Sequence, residues 1–402
     1  MDFFLLKKIA KEKRTSIISW RRLLHQHPEV GLDLPFTKKL VTTELNKMGL
    51  GRVYRLMDAG IVVDLLGKSS DCSSFVALRV DMDALPLYEK TSLPYASSIK
   101  GYMHACGHDA HTAMGLGIVS ILQELKSQWE GKIRIIFQSG EEELKGAKLM
   151  LEQGVSDNPK VNAILGLHLD PQFPLGSVGL RSGQINAYTD EFSLFIKGKS
   201  AHGASPHLSV DPVVATSFAI QALQTIVSRN IPPLEAAVVS IGEIKGGDVS
   251  NIIPDQVRLR GTIRSLSLKI RDLIFSRIKS IARGLEESFG IEAELSFISG
   301  SPPVICDEDL TKTCLLILKK ALDEQSVVNI PYPLLGGDDF AFFAQKVPAT
   351  LIRLGCGKEG FTFPLHSSKF NFDEEVLEFG VALFSYLLVR LTSQNSGRRN
   401  NV

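Results

Sequence analysis

The chain has 402 residues, 44% of them hydrophobic, and its 45 Lys and Arg against 44 Asp and Glu leave a net charge of +1. That composition can bury a large core and, on size, fill two domains, which excludes a disordered chain. No basic block exceeds a few residues, so nucleic acid is not an expected partner and a small-molecule or peptide substrate is.

In chain order, residues 5–24 carry the periodicity of an amphipathic helix, and Thr37 to Met48 predicts a second helix ending at Gly49. Ile61 to Leu66 and Phe75 to Val80 are short apolar runs bounded by Gly, Ser or Asp, as strands are. Ala110 to Leu125 then predicts a helix, Lys132 to Gln138 a buried strand, Leu144 to Gln153 a helix and Val161 to His168 a strand. The alternation indicates a three-layer α/β sheet. From about residue 190 the rhythm changes. A strand (Glu191 to Lys197), a helix (Pro212 to Ser228), two strands (Ala236 to Lys245, Gln256 to Ile263), a helix (Leu268 to Ser288) and a strand (Ile291 to Phe297) give the ferredoxin-like βαββαβ order. Such a unit closes on itself, whereas the segments on either side need each other to complete a sheet. The expected division is therefore a discontinuous catalytic domain, 1–187 and 300–402, with an insertion at 188–299.

The five cysteines, Cys72, Cys106, Cys306, Cys314 and Cys356, are odd in number and irregularly spaced, which argues for a reducing compartment rather than a disulfide framework. The apolar patch Phe3 to Leu6 precedes its lysines, the wrong order for a secretory signal, and no apolar run approaches a bilayer span. A cytoplasmic protein without membrane contact is expected, with a frayed tail over Thr392 to Val402.

Groups able to bind a metal recur where strands end. Cys106 and His108 form a Cys-x-His pair just before a helix, Glu141 and Glu142 follow the strand ending at Gln138, His168 terminates its strand, and His366 lies in a late loop. Each alone has a plainer reading: a buried thiol, a solvated helix start, a core histidine, a loop histidine. Together they stand at the carboxyl ends of strands, where loops of an open α/β sheet converge. Imidazole, thiolate and carboxylate suit Zn²⁺, and imidazole with carboxylate accepts Mn²⁺ or Co²⁺. Two ions can activate one water and polarise a carbonyl, while one of two adjacent glutamates stays unbound to move the proton. Other chemistries find no support. Gly115-Leu116-Gly117 lacks the spacing of a phosphate cradle, and neither a Gly-x-Ser-x-Gly elbow nor a Walker A run occurs. Gly336-Gly337-Asp338-Asp339 predicts a tight turn before a helix at Phe340 to Gln345, with acids near its N-terminus.

Three stretches carry a family resemblance: Ala77-Leu78-Arg79-Val80-Asp81-Met82-Asp83-Ala84-Leu85-Pro86, Met103-His104-Ala105-Cys106-Gly107-His108-Asp109-Ala110-His111, and Leu365-His366-Ser367-Ser368. With Leu24-His25-Gln26-His27-Pro28-Glu29 they extend over nearly the whole chain. The sequence resembles the metal-dependent aminoacylase and hippurate hydrolase family, which also holds N-acetyl-diaminopimelate deacetylases and plant auxin-conjugate hydrolases. The resemblance implies a metallopeptidase-like catalytic domain, two divalent ions (Mn²⁺, Zn²⁺ or Co²⁺), and hydrolysis of N-acyl-L-amino acids. It makes Cys106 the bridging ligand, with His108, Glu142, His168 and His366 as the others and Glu141 as general base. It makes the insertion a lid that also forms a homodimer, with His202 steadying the oxyanion and Asn251 and Arg264 holding the substrate's carboxylate. Asp109 is then expected beside the ligands or at the helix start. The sequence departs from relatives at Ser139-Gly140, at Glu143-Leu144-Lys145 and at Asp338, where many have Glu, which bears on substrate preference. A deacetylase of N-acetyl-diaminopimelate and a dipeptidase use the same centre and are the alternatives. A non-catalytic receptor for acylated amino acids is the rival, and an intact Glu141 argues against it.

Overall fold

Two helices, α1 (Phe3–Glu12) and α2 (Arg14–Gln26), stand where the periodicity predicts one in this computed structural model, which describes residues 1–51, 53–69, 75–157, 159–361 and 363–397. The break has a cause in the sequence: Lys11 to Ser16 contains no apolar residue, so the buried stripe lapses between Ala10 and Ile17. Asp2 caps α1 by accepting from the Leu5 N–H at 2.7 Å. Helix α3 (Pro35–Lys47) starts on a proline, which lacks the N–H that a first turn leaves unused.

There follow β1 (Tyr54–Met57), β2 (Gly60–Leu66), β3 (Phe75–Asp81), α4 (His108–Glu124), β4 (Lys132–Gln138), α5 (Gly146–Glu152), β5 (Ala163–Pro174), β6 (Val178–Leu180) and the two-residue β7 (Gly183–Gln184). The chain then enters β8 (Tyr188–Lys197), β9 (Ala201–His202), α6 (Pro212–Thr225), β10 (Ala237–Lys245), β11 (Ile252–Ile253), β12 (Gln256–Ser265), α7 (Leu268–Phe289) and β13 (Glu292–Ser299). It ends with β14 (Ile305–Cys306), α8 (Glu308–Leu318), β15 (Val327–Asn329), α9 (Phe340–Ala344), β16 (Ala349–Gly357) and α10 (Glu375–Gly397). Contacts group the chain into two units: Met1–Ile185 with Val304–Tyr332 and Asp338–Val402, and Asn186–Pro303 with Pro333–Gly337.

The first unit is built on a mixed eight-stranded sheet in the order β1-β2-β4-β3-β5-β16-β6-β15, with β4, β3, β5 and β16 parallel to one another. Strand β3 is buried along its whole length, as a central parallel strand covered on both faces must be. One face packs against α4 and α10 through Val80, Leu116, Val381 and their neighbours; the other packs against α5 and α9 through Ala77, Met150, Phe340 and Leu351. Helix α10 contains a 19-residue stretch, Glu375–Ser393, apolar enough by length and composition to cross a membrane, which the expectation of no such run missed. It is a core helix, with 78% of that stretch buried in the protein. Residues up to Gly397 of the tail expected to fray belong to α10, and the remainder lies outside the described residues.

The second unit is a four-stranded antiparallel sheet in the order β10-β12-β8-β13. Alternate residues Phe192, Leu194 and Ile196 of β8 meet Ala219 of α6 and Ile274 and Ile278 of α7 in one cluster, which leaves the sheet's other face polar. Strand, helix, strand, strand, helix, strand is the order seen, with the short β9–β11 ladder added to it.

Three boundaries near the site differ from the sequence reading. Strand β5 continues past His168 to Pro174, because β16 keeps pairing with it through Leu169, Asp170 and Pro174; His168 lies within the strand rather than at its end. Helix α5 starts at Gly146 rather than Leu144, whose φ of 57° belongs to a turn. Helix α9 is shorter than predicted, Phe340–Ala344, and of the acids before it only Asp338 accepts from its first N–H, at 2.8 Å from Phe340.

Candidate metal centre

The loop between β3 and α4 and the turn after β4 carry polar groups that meet His168, which lies midway along β5. Gly107, at φ 87°, makes the turn that places Cys106 just ahead of α4 and His108 on its first residue. After β4, the N–H groups of Leu144 and Lys145 donate to the carbonyls of Glu141 and Gly140, folding residues 140–145 back as a turn. The main-chain N–H of His366 donates to the Ala105 carbonyl at 2.8 Å, so the late loop is tied to the Cys106 loop. His366 holds a φ of 64°, uncommon for a residue with a side chain and a sign that its orientation is imposed by its surroundings.

These elements bring Cys106, His108, Glu141, Glu142, His168 and His366 together. Three overlapping groups, Cys106 with His108 and His168, Cys106 with Glu142 and His366, and His108 with Glu141 and Glu142, each have ligand atoms within 4.8 Å of one another. The hydrogen bonds say which atoms point inward. His108 Nδ1 donates to the Asp83 carbonyl at 2.9 Å, which leaves the lone pair on Nε2; that atom is enclosed and has no hydrogen-bond partner. His168 Nδ1 donates to the Leu169 carbonyl at 2.7 Å, leaving Nε2 at 3.6 Å from Cys106 Sγ. Glu142 Oε1 lies 4.0 Å from His108 Nε2 and 3.4 Å from His366 Nε2. A second nitrogen fixed on a main-chain carbonyl is how histidine ligands are oriented toward metals. Two ligand groups meeting at one thiol fit two divalent ions sharing Cys106, with imidazole, thiolate and carboxylate donors suited to borderline ions.

Not every histidine here is available. His111 Nδ1 donates to Asp81 at 2.5 Å and its Nε2 accepts from the Leu169 N–H at 2.9 Å, so both nitrogens are spent. Asp109, in the first turn of α4, is buried and paired with Arg21 and His25, each at 2.8 Å, rather than facing the cluster.

Charge is arranged unevenly over the glutamates. Burial, followed by Asp338 and Glu142, pushes the Glu141 carboxyl well above the usual carboxylate range. Glu142 ends below that range because its partners, His366 first, outweigh burial. The Cys106 thiol and Glu142 push His366 up to about 10. Glu143 is exposed and pairs with Lys145 at 3.0 Å, so the extra acid of this loop carries its own counter-charge.

Several residues that organise the cluster were quoted in the sequence motifs but given no role. Asp83 accepts from the main-chain N–H groups of both Glu141 and Glu142, at 3.1 and 3.0 Å, and fixes the loop carrying them. Behind it, Arg79 donates to Asp81, Asp338 and Asp339 at 2.6, 3.2 and 2.9 Å. Asp339 also accepts from Gln138 and from the Ala147 N–H, each at 2.8 Å, so the acid expected to serve the helix start instead joins β3, β4 and α5. The signal was present: acids alternating as Asp81-x-Asp83 at the end of an otherwise apolar strand have no place in a core without partners.

The remaining predicted residues belong to the second unit. His202, on β9, is exposed and its Nδ1 accepts from the Ala204 N–H at 3.0 Å. Asn251 is exposed next to β11, its carbonyl accepting from Gly203 at 2.8 Å, so His202 and Asn251 share one ladder. Arg264, on β12, is half-buried, and its Nη1 donates to the Ile263 carbonyl at 3.0 Å.

Residues 77–390 match the family described as Peptidase family M20/M25/M40. An N-acetyl-L-cysteine deacetylase of Bacillus subtilis is 37% identical, over 90% of this chain and 84% of its own length. An IAA-amino acid hydrolase of Arabidopsis thaliana is 33% identical, over 98% of this chain and 90% of its own. A solved structure of a Bacillus subtilis protein, described as a dinuclear metal-binding peptidase of the M20 family, is 31% identical with a TM-score of 0.76, covering 95% of this chain and 99% of that one. With the donor cluster of Cys106, His108, Glu142, His168 and His366, these matches show that the chain belongs to peptidase family M20/M25/M40 and is a metal-dependent amidohydrolase.

Proposed function

We propose that the protein hydrolyses the amide bond of N-acyl-L-amino acids, with N-acetyl or N-benzoyl as typical acyl groups, releasing the amino acid and a carboxylate. The observation that carries this reading is the different placing of two adjacent glutamates in one ligand cluster: Glu142 Oε1 lies 3.4 Å from His366 Nε2 and 4.0 Å from His108 Nε2, while Glu141 is buried beside them with Oε2 3.9 Å from His108 Nε2. Cys106, His108, Glu142, His168 and His366 would hold two divalent ions, Mn²⁺, Zn²⁺ or Co²⁺, which would supply Lewis acidity toward water and the scissile carbonyl.

The chain's own groups do the rest. Glu141 accepts the proton of the attacking water and delivers it to the leaving nitrogen, a role that needs a carboxyl whose affinity for a proton has been raised. His202 accepts a hydrogen bond at Nδ1, so its neutral ring carries the proton on Nε2, the form that can donate to an oxyanion. Asn251 and Arg264 are assigned to the substrate's α-carboxylate, for which a guanidinium fork is suited. A homodimer through the second unit is part of this reading, supported by Val213, Val214 and Phe218 of α6, all exposed. Cytoplasmic residence is supported by the unpaired, buried thiols of Cys106, Cys306, Cys314 and Cys356; Cys72 lies outside the described residues.

The test is Glu141→Gln in the metal-loaded protein, assayed for release of free amine from N-acetyl, N-benzoyl and dipeptide substrates. The variant is expected to keep its metal content by elemental analysis and to lose roughly 10²- to 10⁴-fold in turnover. Full activity in the variant contradicts the assignment. Preference for free dipeptides transfers the centre to a dipeptidase, and binding without chelator-sensitive amine release favours a receptor.

A further inference from the structure

Among the described residues of the first unit four arginines are buried, and three of them have carboxylate partners: Arg21 with Asp109, Arg79 with Asp81, and Arg134 with Asp64. The fourth is Arg353 on β16, only 5% exposed, whose Nε is enclosed without a hydrogen-bond partner; among the described residues no carboxylate pairs with it. A buried guanidinium left unpaired is costly, and proteins retain one where a ligand supplies the counter-charge.

Its place in the sheet says which ligand. In the parallel pairing of β16 with β5, Arg353 is the direct partner of His168, so the two residues share a face about 4.8 Å apart from strand to strand. Their neighbours on that face, Leu351 and Ala349, belong to the core under α9, while Arg353 lies two positions nearer the carboxyl end where the ligand cluster sits. Asp170, two residues beyond His168 on the same face of β5, accepts from the Gln172 N–H at 2.9 Å.

We infer that Arg353 is a carboxylate-binding residue of the substrate site, which makes the preferred substrate an N-acyl amino acid bearing a carboxylate beyond the α-carboxylate. The inference rests on the amidohydrolase reading for the class of ligand. The additional carboxylate resides either on the amino-acid side chain, as in an acidic residue, or on a dicarboxylic acyl group. Both present the same planar anion to the guanidinium fork.

Calorimetric binding to the metal-loaded full chain, in a Glu141→Gln background so that nothing is turned over, separates these sources. One pair of probes is N-acetyl-L-glutamate against N-acetyl-L-glutamine; the other is N-succinyl-L-methionine against N-acetyl-L-methionine. The carboxylate-bearing member of one pair is expected to bind about 10- to 100-fold more tightly, and the pair that shows this locates the carboxylate. Adding Arg353→Leu abolishes the difference, and Arg353→Lys, which keeps the charge in the strand, retains part of it. Equal affinity within both pairs, or a difference that survives both variants, overturns the inference. So does a fall shared equally by both members of each pair, which would make Arg353 a support for His168 alone. Amine release by the chain with Glu141 intact is read in parallel: its absence from all four compounds sinks the hydrolase reading, while the affinity ratios still decide Arg353.

Discussion

At the residue scale the cluster depends on groups that touch no ion. Asp83 divides its two oxygens between the N–H groups of Glu141 and Glu142, and its carbonyl orients His108, so one side chain and its own backbone align three functional residues. Asn at this position turns an amide NH₂ toward one of those N–H groups and loses one acceptor. Asp83→Asn is therefore expected to weaken metal affinity about 10- to 100-fold, with a comparable fall in kcat; competition with a chromogenic chelator measures the first and amine release the second. Unchanged metal affinity contradicts the role given to Asp83. Six of the cluster residues could be picked out of the sequence because each stands next to a strand end or in a motif of marked composition. Asp83 and Arg353 could not be assigned that way. Their roles come from partners 58 residues away in one case and from the lack of any partner in the other, and neither is a local property of the chain.

At the scale of elements, the turn joining β4 to α5 carries the chemistry and is fitted closely. A Cβ added at Gly146 would meet the Ser139 carbonyl oxygen at 1.7 Å, so any side chain there displaces the segment that bears Glu141 and Glu142. Gly146→Ala is expected to cost about 1–3 kcal/mol in urea unfolding and to lower activity at least about tenfold, because the glutamates shift with the turn. Activity at the level of the parent protein would show that the turn accommodates the methyl group elsewhere. The sequence pointed to a helix from Leu144 through this turn, since Leu144, Ala147 and Leu151 recur at i, i+3 and i+7; the left-handed φ of Leu144 interrupts it. It likewise closed β5 at His168, whereas continued pairing with β16 through Leu169, Asp170 and Pro174 carries the strand on to Pro174. Strands β3 and β4 were legible almost to the residue, since each is a short, mostly apolar run, interrupted only by Arg79 or Arg134 and bounded by polar residues.

For the whole molecule, both tryptophans, Trp20 and Trp129, belong to the first unit, so their fluorescence follows the unit that holds the cluster. Ions bound to the folded cluster stabilise that unit by mass action. Removing them with a chelator is expected to lower the fluorescence-monitored Tm by several degrees, a shift of about 2–4 kcal/mol at saturating metal, and an unmoved midpoint would show that the folded unit holds no ion under those conditions. The change of rhythm near residue 190 leads the sequence reading to expect a division there, because a strand–helix–strand–strand–helix–strand order is complete in itself. The five residues Pro333–Gly337, which join the second unit from a distant part of the sequence, carry no such signal.

In the proposed function one thiol, three imidazoles and a carboxylate hold two ions that make this chain an amidohydrolase. Titrating the metal-free protein with Mn²⁺ or Zn²⁺ while following amine release from N-acetyl-L-methionine tests it directly. Activity is expected to be absent with chelator and to reach its plateau at two equivalents per chain, and Cys106→Ala is expected to bind no ion tightly and to stay inactive. Full amine release in the presence of excess chelator, or from Cys106→Ala, would contradict the account.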